Sequence, residues 1–266
     1  VRAEAFTLSD RARQVWRLSL VVLWTLVSYT LWLPGALVTL GSARRHQAWN
    51  NWIQRTWTRG LLRALGFVVE VRGVAPPKPF FMVANHLSYV DVLVFGSQLG
   101  ATFISKAELG SWPVLGHLAR ITGTLFINRK SNRDAIRVLD EIDGAITRGA
   151  GVVLFPEGTS SRGDQVHPLR PALLHWAATR SFPVHTATVS YVSGDPRRPA
   201  DLAICWWGDV EFAPHLTQLL AARRPRAVLS FHPTPVTGTD RRPLALALRE
   251  QLMRSFIPIP TSEHSA

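Results

Sequence analysis

Phe80-Phe81-Met82-Val83-Ala84-Asn85-His86-Leu87-Ser88-Tyr89-Val90-Asp91 is the stretch on which the reading of this chain turns. Five apolar residues in a row, ended by a polar turn, suit a strand covered on both faces of a sheet. Ser88 then serves as a helix N-cap, with Asp91 at the third helical position as its capping-box partner. Such a strand brings the chain to the C-terminal edge of the sheet, where α/β proteins place their sites. His86 and Asp91 stand at that edge. An imidazole takes a proton near neutral pH, and a carboxylate orients it and stabilises the cation. On a regular helix, residues five apart point about 140° away from each other. The pair therefore meets only if His86 precedes the helix and folds back over its first turn. The spacing alone is weak: nine His and ten Asp in 266 residues supply one such match by chance in about one chain in three.

Outward from this stretch, strand and helix alternate. Strands are predicted at 67–71, 80–84, 102–105, 124–128, 152–155, 183–192, 202–206 and 227–231. Helices are predicted at 88–98, 113–121, 133–147, 171–179, 212–222 and 243–255, with Ile136, Leu139, Ile142 and Ile146 on one face of the third. Ala75-Pro76-Pro77-Lys78-Pro79 is a loop that no helix crosses. The alternation predicts an α/β fold, a mostly parallel mixed sheet covered by helices. The expected organisation is 1–65 as N-terminal membrane-associating helices, 66–257 as the α/β domain and 258–266 as a flexible tail.

The N-terminal quarter differs in texture. Residues 18–40 carry no formal charge and are long enough to cross a bilayer core, but Pro34-Gly35 interrupts them after 16 residues. Arginines flank both sides, so the charge rule does not favour crossing, and the apolar stretch is too long for a cleaved signal peptide. Next, Trp49, Ile53, Trp57 and Leu61 recur at spacing four, with Trp52 and Leu65 beside them and Arg55, Arg59 and Arg63 on roughly the opposite side. That pattern predicts a helix lying in the membrane interface, rings at headgroup level and cations near phosphates. The alternative is a Trp face packed on the protein's own core.

Composition supports a membrane surface as the partner. The net charge is +12, from 27 Arg and three Lys against 18 acids. Residues 1–68 hold nine of those Arg and only Glu4 and Asp10, a local charge of +7. A nucleic-acid-binding protein would need its cations clustered with exposed stacking residues outside the membrane-like segment, so no nucleic-acid partner is expected. Cys205 is the single cysteine, which excludes an internal disulfide and a cysteine-rich zinc site. No His-x-x-x-His pair is present, and no metal is expected. The Gly-x-Ser-x-Gly elbow, the Gly-x-x-x-x-Gly-Lys loop and the Gly-x-Gly-x-x-Gly fingerprint are all missing from the chain.

Two further stretches fall after predicted strands. Arg129 ends Gly123-Thr124-Leu125-Phe126-Ile127-Asn128-Arg129, a fixed planar cation suited to holding a phosphate or carboxylate. Phe155-Pro156-Glu157-Gly158-Thr159-Ser160-Ser161 follows the strand at 152–155. Its Pro and Gly are ordinary turn chemistry, whereas Glu157 is not something a turn requires.

These three stretches, in this order, closely resemble the leading motifs of the glycerolipid acyltransferase family, over roughly residues 67–231. The resemblance implies His86 as general base and Asp91 as its orienting partner. It places Gly123 and Arg129 in the acceptor-binding motif, with Arg129 on the acceptor's phosphate and Glu157, Gly158 and Thr159 shaping the same pocket. Many members carry Arg where this chain has Ser160; Arg162 is the nearby candidate to replace it. The fourth motif falls loosely near Pro183-Val184-His185-Thr186-Ala187. Cys205-Trp206-Trp207-Gly208-Asp209, followed by Phe212-Ala213-Pro214-His215, is similar to a segment of a bacterial subgroup and receives no chemical role.

The implied reaction moves a fatty acyl group from an acyl thioester to the free hydroxyl of a lysophospholipid. 1-Acylglycerol 3-phosphate, giving phosphatidic acid, is the first acceptor; lyso-ornithine lipid or another lysolipid is the alternative. No cofactor is implied beyond acyl-coenzyme A or acyl-acyl carrier protein as co-substrate. The expected location is the cytoplasmic face of the inner membrane, among membrane lipids. A non-catalytic lipid-binding protein on the same fold is the rival, against which the intact His86–Asp91 pair argues.

Overall fold

The computed structural model describes residues 5–128 and 132–261. Seven strands, β1 (Val68–Arg72), β2 (Phe80–Ala84), β3 (Thr102–Lys106), β4 (Leu125–Ile127), β5 (Gly151–Leu154), β6 (Val184–Val192) and β7 (Arg226–Phe231), form one sheet in the order β1-β7-β6-β2-β5-β3-β4. From β6 to β4 the neighbours are parallel; β7 is antiparallel to β6, and β1 is parallel to β7. The mostly parallel mixed sheet is therefore what forms. The helices are α1 (Leu8–Thr39), α2 (Ala43–Ala64), α3 (Val90–Leu99), α4 (Ala107–Gly110), α5 (Leu115–Ile121), α6 (Asn132–Thr147), α7 (His175–Thr179), α8 (Ala200–Ala203), α9 (Phe212–Ala221) and α10 (Arg241–Ser255), with a 3-10 turn at Pro171–Leu174.

β2 is the axis of the sheet because its five residues have no exposed side. Phe80, Met82 and Ala84 join a core with Phe95 of α3, Phe103, Tyr191 and Leu219. Phe81 and Val83 join a second core on the other face, with Ile142 of α6, Trp176 of α7 and Leu248 of α10. A fully buried Phe or Leu contributes about 1.5–3 kcal/mol, so this run has one favourable place in the molecule. At its end Ala84 pairs with Ala187, and β6 continues for five residues beyond it. There β7 takes over as the partner, pairing with residues 187–192. The antiparallel strand thus supports β6 above the turn that carries His86.

Several expectations are corrected. Pro34 does not end the first helix: α1 runs unbroken for 32 residues, about 48 Å at 1.5 Å per residue. The turn containing Pro34 is held from outside, where the Trp49 ring lies against Gly35 and its Nε1 donates to the Trp32 carbonyl at 3.1 Å. Packing against a neighbour overrides the local breaker. Trp49 and Trp57 of α2 likewise turn toward α1 rather than outward, while Trp52 stays half exposed. Trp57 Nε1 donates to Thr25 Oγ1 (3.1 Å), Trp24 Nε1 to the Trp57 carbonyl (3.0 Å) and Trp32 Nε1 to Asn50 Oδ1 (2.9 Å). Ile53, Leu61, Leu62 and Leu65 are buried, and Arg59 reaches the Ser97 carbonyl at 2.8 Å. The outward apolar surface belongs instead to α1, where Val22, Leu23, Leu26, Leu33, Leu37 and Val38 are exposed. By length and composition α1 also qualifies to cross a membrane.

The start of α1 is pinned to the domain. Arg17 donates to the carbonyls of Leu220 (3.0 Å) and Ala222 (2.6 Å), at the negative end of α9. Asp10, fully buried, gathers Arg13 (3.0 Å), Arg198 (3.4 Å) and Arg223 (3.4 Å).

Residues 202–206 are not a strand: Pro199 opens the short helix α8, and Ile204 and Cys205 follow it into the core. A five-residue apolar run is equally readable as strand or buried helix. On α6 the buried face is Val138, Ile142 and Ala145, while Ile136 is 61% exposed. Nor is the chain free from residue 258, since Ile259 is buried and its N–H donates to the Gly163 carbonyl at 2.7 Å.

Candidate active site

The turn between β2 and α3 is held from both ends. Asn85, fully buried, donates to the Val189 carbonyl (2.9 Å) and accepts the Val189 N–H (2.8 Å), fixing the turn to β6. Asp91, also fully buried, reaches back from α3 to accept the N–H groups of Leu87 (2.7 Å) and Ser88 (3.0 Å) on Oδ2. The same oxygen lies 2.7 Å from His86 Nδ1, so the fold-back the pair required does occur. The expected cap is corrected: Tyr89, not Ser88, is the N-cap and makes no side-chain cap bond, Asp91 stands at the second helical position, and Ser88 Oγ accepts the Val90 N–H (3.3 Å). A carboxylate only accepts, so Nδ1 carries the hydrogen and Nε2 keeps its lone pair. The imidazole is 23% exposed and stacks on Phe155, with centroids 4.4 Å apart and planes 18° apart. The other Asp91 oxygen, Oδ1, accepts the Tyr191 hydroxyl at 2.5 Å.

Glu157, Gly158 and Thr159 follow β5, which neighbours β2, and the structure brings them to this turn. Glu157 is buried, and its carboxyl grips backbone: Oε1 accepts the His86 N–H (2.9 Å) and Oε2 the His167 N–H (3.0 Å). Its own carbonyl accepts Arg170 Nε at 3.3 Å. Glu157 thus holds the backbone of His86 in place. Gly158 has φ of +78°, a left-handed turn that side chains resist; Thr159 beside it is exposed. Ser161 adds a third clamp, its N–H donating to the His86 carbonyl at 3.0 Å.

Burial pushes the Glu157 carboxyl up to about 7, against the opposing pull of the two N–H groups. The folded protein therefore keeps a proton between pH 4.5 and about 7 that the unfolded chain releases, and stability falls as pH rises through that window. The loss is on the order of 3 kcal/mol. Glu157→Gln should flatten the slope, read as the thermal midpoint from pH 5 to 8. A variant with the native slope would assign it to other groups.

The segment after α8 ties the two turns together. Trp206 donates its N–H to the Leu87 carbonyl (2.8 Å), and its own carbonyl accepts Ser160 Oγ. His215 Nε2 donates to the Cys205 carbonyl (2.9 Å), leaving Nδ1 to accept the Tyr89 hydroxyl (3.1 Å). Burial lowers His215 to about 4, so the ring is neutral. Cys205 is buried and its thiol is held well above its usual range, first by burial and then by Asp91, so it is not a thiolate nucleophile. Arg162 lies over the Trp207 ring and 3.5 Å from Asp201.

The second motif lies apart. Gly123, with φ of +79°, ends α5 and enters β4 at the level of Thr102, so the structure does not bring it into the His86 cluster. β4 is the third strand from β2 in the sheet order, about 14 Å away at normal strand spacing. Arg129 lies outside the described residues. Among those residues, no group of three His, Cys, Asp or Glu is placed to hold a metal ion.

Comparison with known proteins gives a consistent picture. Residues 67–190 match the family model described as Acyltransferase. The chain is 35% identical over 215 residues to the lyso-ornithine lipid O-acyltransferase of Pseudomonas aeruginosa, covering 80% of this chain and 78% of that one. It is 34% identical over 158 residues to the 1-acyl-sn-glycerol-3-phosphate acyltransferase of Neisseria meningitidis, 56% of this chain and 62% of that one. The crystal structure of the 1-acyl-sn-glycerophosphate acyltransferase PlsC from Thermotoga maritima shares the fold, with a TM-score of 0.62 at 16% identity over 94% of this chain and all of that one.

Proposed function

The chain belongs to the glycerolipid acyltransferase family, and from that membership we propose that it moves a fatty acyl group from a thioester to the free hydroxyl of a lysolipid, with His86 as general base and Asp91 as its orienting partner. The observation that carries this reading is the His86–Asp91 contact at 2.7 Å, which leaves Nε2 free at the sheet edge. Nε2 takes the proton of the acceptor hydroxyl as its oxygen attacks the thioester carbonyl. The tetrahedral adduct expels the thiolate, and the imidazolium returns the proton to that sulfur. Asp91 stabilises the imidazolium between the two steps. Acyl-coenzyme A or acyl-acyl carrier protein is the co-substrate in this scheme. Arg129, by its place in the motif, would hold the acceptor's anionic group, and Gly158 and Thr159 would line the near wall.

Lyso-ornithine lipid is the first acceptor in this reading, because the Pseudomonas relative matches far more of the chain than the Neisseria one. 1-Acylglycerol 3-phosphate is the second: it presents a phosphate to Arg129 where the amino-acid lipid presents a carboxylate. The outward flank of α1 would rest in the cytoplasmic face of the inner membrane, where both thioesters are found. The test is an assay of the purified protein with each lysolipid, paired with each donor. Acylation of lyso-ornithine lipid with kcat/KM at least about tenfold above the phosphate acceptor is expected. The reverse order would select the second acceptor, and no product from any pairing would sink the proposal.

A further inference from the structure

We propose that Tyr191 is a positioning residue of this site: its buried hydroxyl holds the Asp91 carboxylate in register and limits how tightly His86 keeps the proton it abstracts. This rests on the reading of His86 as the base.

The placement follows from the topology. Ala187, Val189 and Tyr191 face the α3 side of β6, while Thr186, Thr188 and Ser190 face the other side, toward Gln251, the Ser255 carbonyl and the Ile257 carbonyl. Tyr191 lies on the part of β6 that outruns β2, opposite Ala227 of β7. From there it reaches over the end of β2 to Asp91, with its ring edge-on to Phe67 (6.1 Å, 74°) and 1% exposed. A packing demand alone would be met by Phe, which fills the same space and buries no hydroxyl.

The chemistry follows from how the carboxylate divides its acceptors. Oδ2 serves Leu87, Ser88 and His86, and Oδ1 serves Tyr191. Without the phenol, Oδ1 would be a buried carboxylate oxygen with no donor among the described residues. The anion would then lean more heavily on the His86 proton, or turn to share Oδ1 with it. Either change makes the pair hold a proton more tightly, and protonated His86 is not a base. Burial, then the Asp91 charge, keeps the phenol well above its usual range, so it stays a donor at every working pH.

Tyr191→Phe should lower kcat about tenfold with acceptor KM unchanged. The acidic limb of its pH–rate profile should move to higher pH by about half a unit. In an Asp91→Asn background the same change should alter the rate less than about twofold, because the charge it acts on is gone. 3-Fluorotyrosine incorporated at position 191, a stronger donor of nearly the same shape, should move the limb to lower pH, which keeps the test open if Tyr191→Phe folds poorly. If neither variant moves the limb, the hydroxyl is a core group only and the inference fails. That failure is distinct from failure of the base assignment, which is read separately as turnover retained by His86→Ala.

Discussion

Replacing His86 by Ala should remove acyl transfer almost entirely, by on the order of 10³-fold, while the protein stays folded. The two halves of this expectation come from different observations. The ring's one polar partner among the described residues is Asp91, and it stands at the rim stacked on Phe155, so few buried contacts are lost with it. The turn does not depend on the ring either, because Glu157 and Ser161 hold the backbone of residue 86. What disappears is the lone pair at Nε2. Single-turnover assay with a labelled acyl donor measures the loss, and circular dichroism checks the fold. A folded variant within tenfold of the native rate would overturn the mechanism.

Asp91 is expected to separate chemistry from stability. Asp91→Asn keeps an oxygen for the Leu87 and Ser88 N–H groups and for His86, and its amide nitrogen can face the Tyr191 oxygen. The fold should persist, but the charge that stabilises the imidazolium is gone, costing about 3 kcal/mol or on the order of 10²-fold in kcat. Asp91→Ala leaves two buried N–H groups and a buried hydroxyl without their acceptor. At about 1–3 kcal/mol each, this removes a large share of the 5–15 kcal/mol that typically holds a domain together. Thermal unfolding of the two variants beside their rates decides the matter. Equal stability of the Ala and Asn variants would mean that Asn85, Glu157 and Ser161 hold the turn without help from Asp91.

What the sequence made legible follows physical reach. The His86–Asp91 contact was readable because it is local, closed by the turn that leads into α3. β2 was readable because a fully apolar five-residue run has only a buried place to go. The Trp stripe of α2 was read correctly as a covered face but assigned the wrong cover. Amphipathicity states that a face is hidden, not whether lipid or a neighbouring helix hides it. Pro34 was overvalued for a related reason: its cost is local, whereas the contacts of Trp49 that outweigh it come from the next helix. The grip of Glu157 on His86 was illegible because its partners are backbone N–H groups, which every residue but proline offers. Tyr191 was missed because 100 residues separate it from Asp91, and nothing in its own neighbourhood distinguishes it from a core tyrosine.

The exposed flank of α1 bears on what concentration means for this protein. With that flank seated in a bilayer, the site meets its acceptor in two dimensions, and the governing quantity is the acceptor's mole fraction among the surrounding lipids rather than molarity in the bulk. Diluting the acceptor with inert lipid at constant bulk amount would then slow turnover, whereas adding more vesicles of the same composition would leave each bound molecule's rate unchanged. Product inserted beside the helix would likewise leave by lateral diffusion. A helix that anchored the chain in this way would thereby set the coordinates in which its kinetics are written.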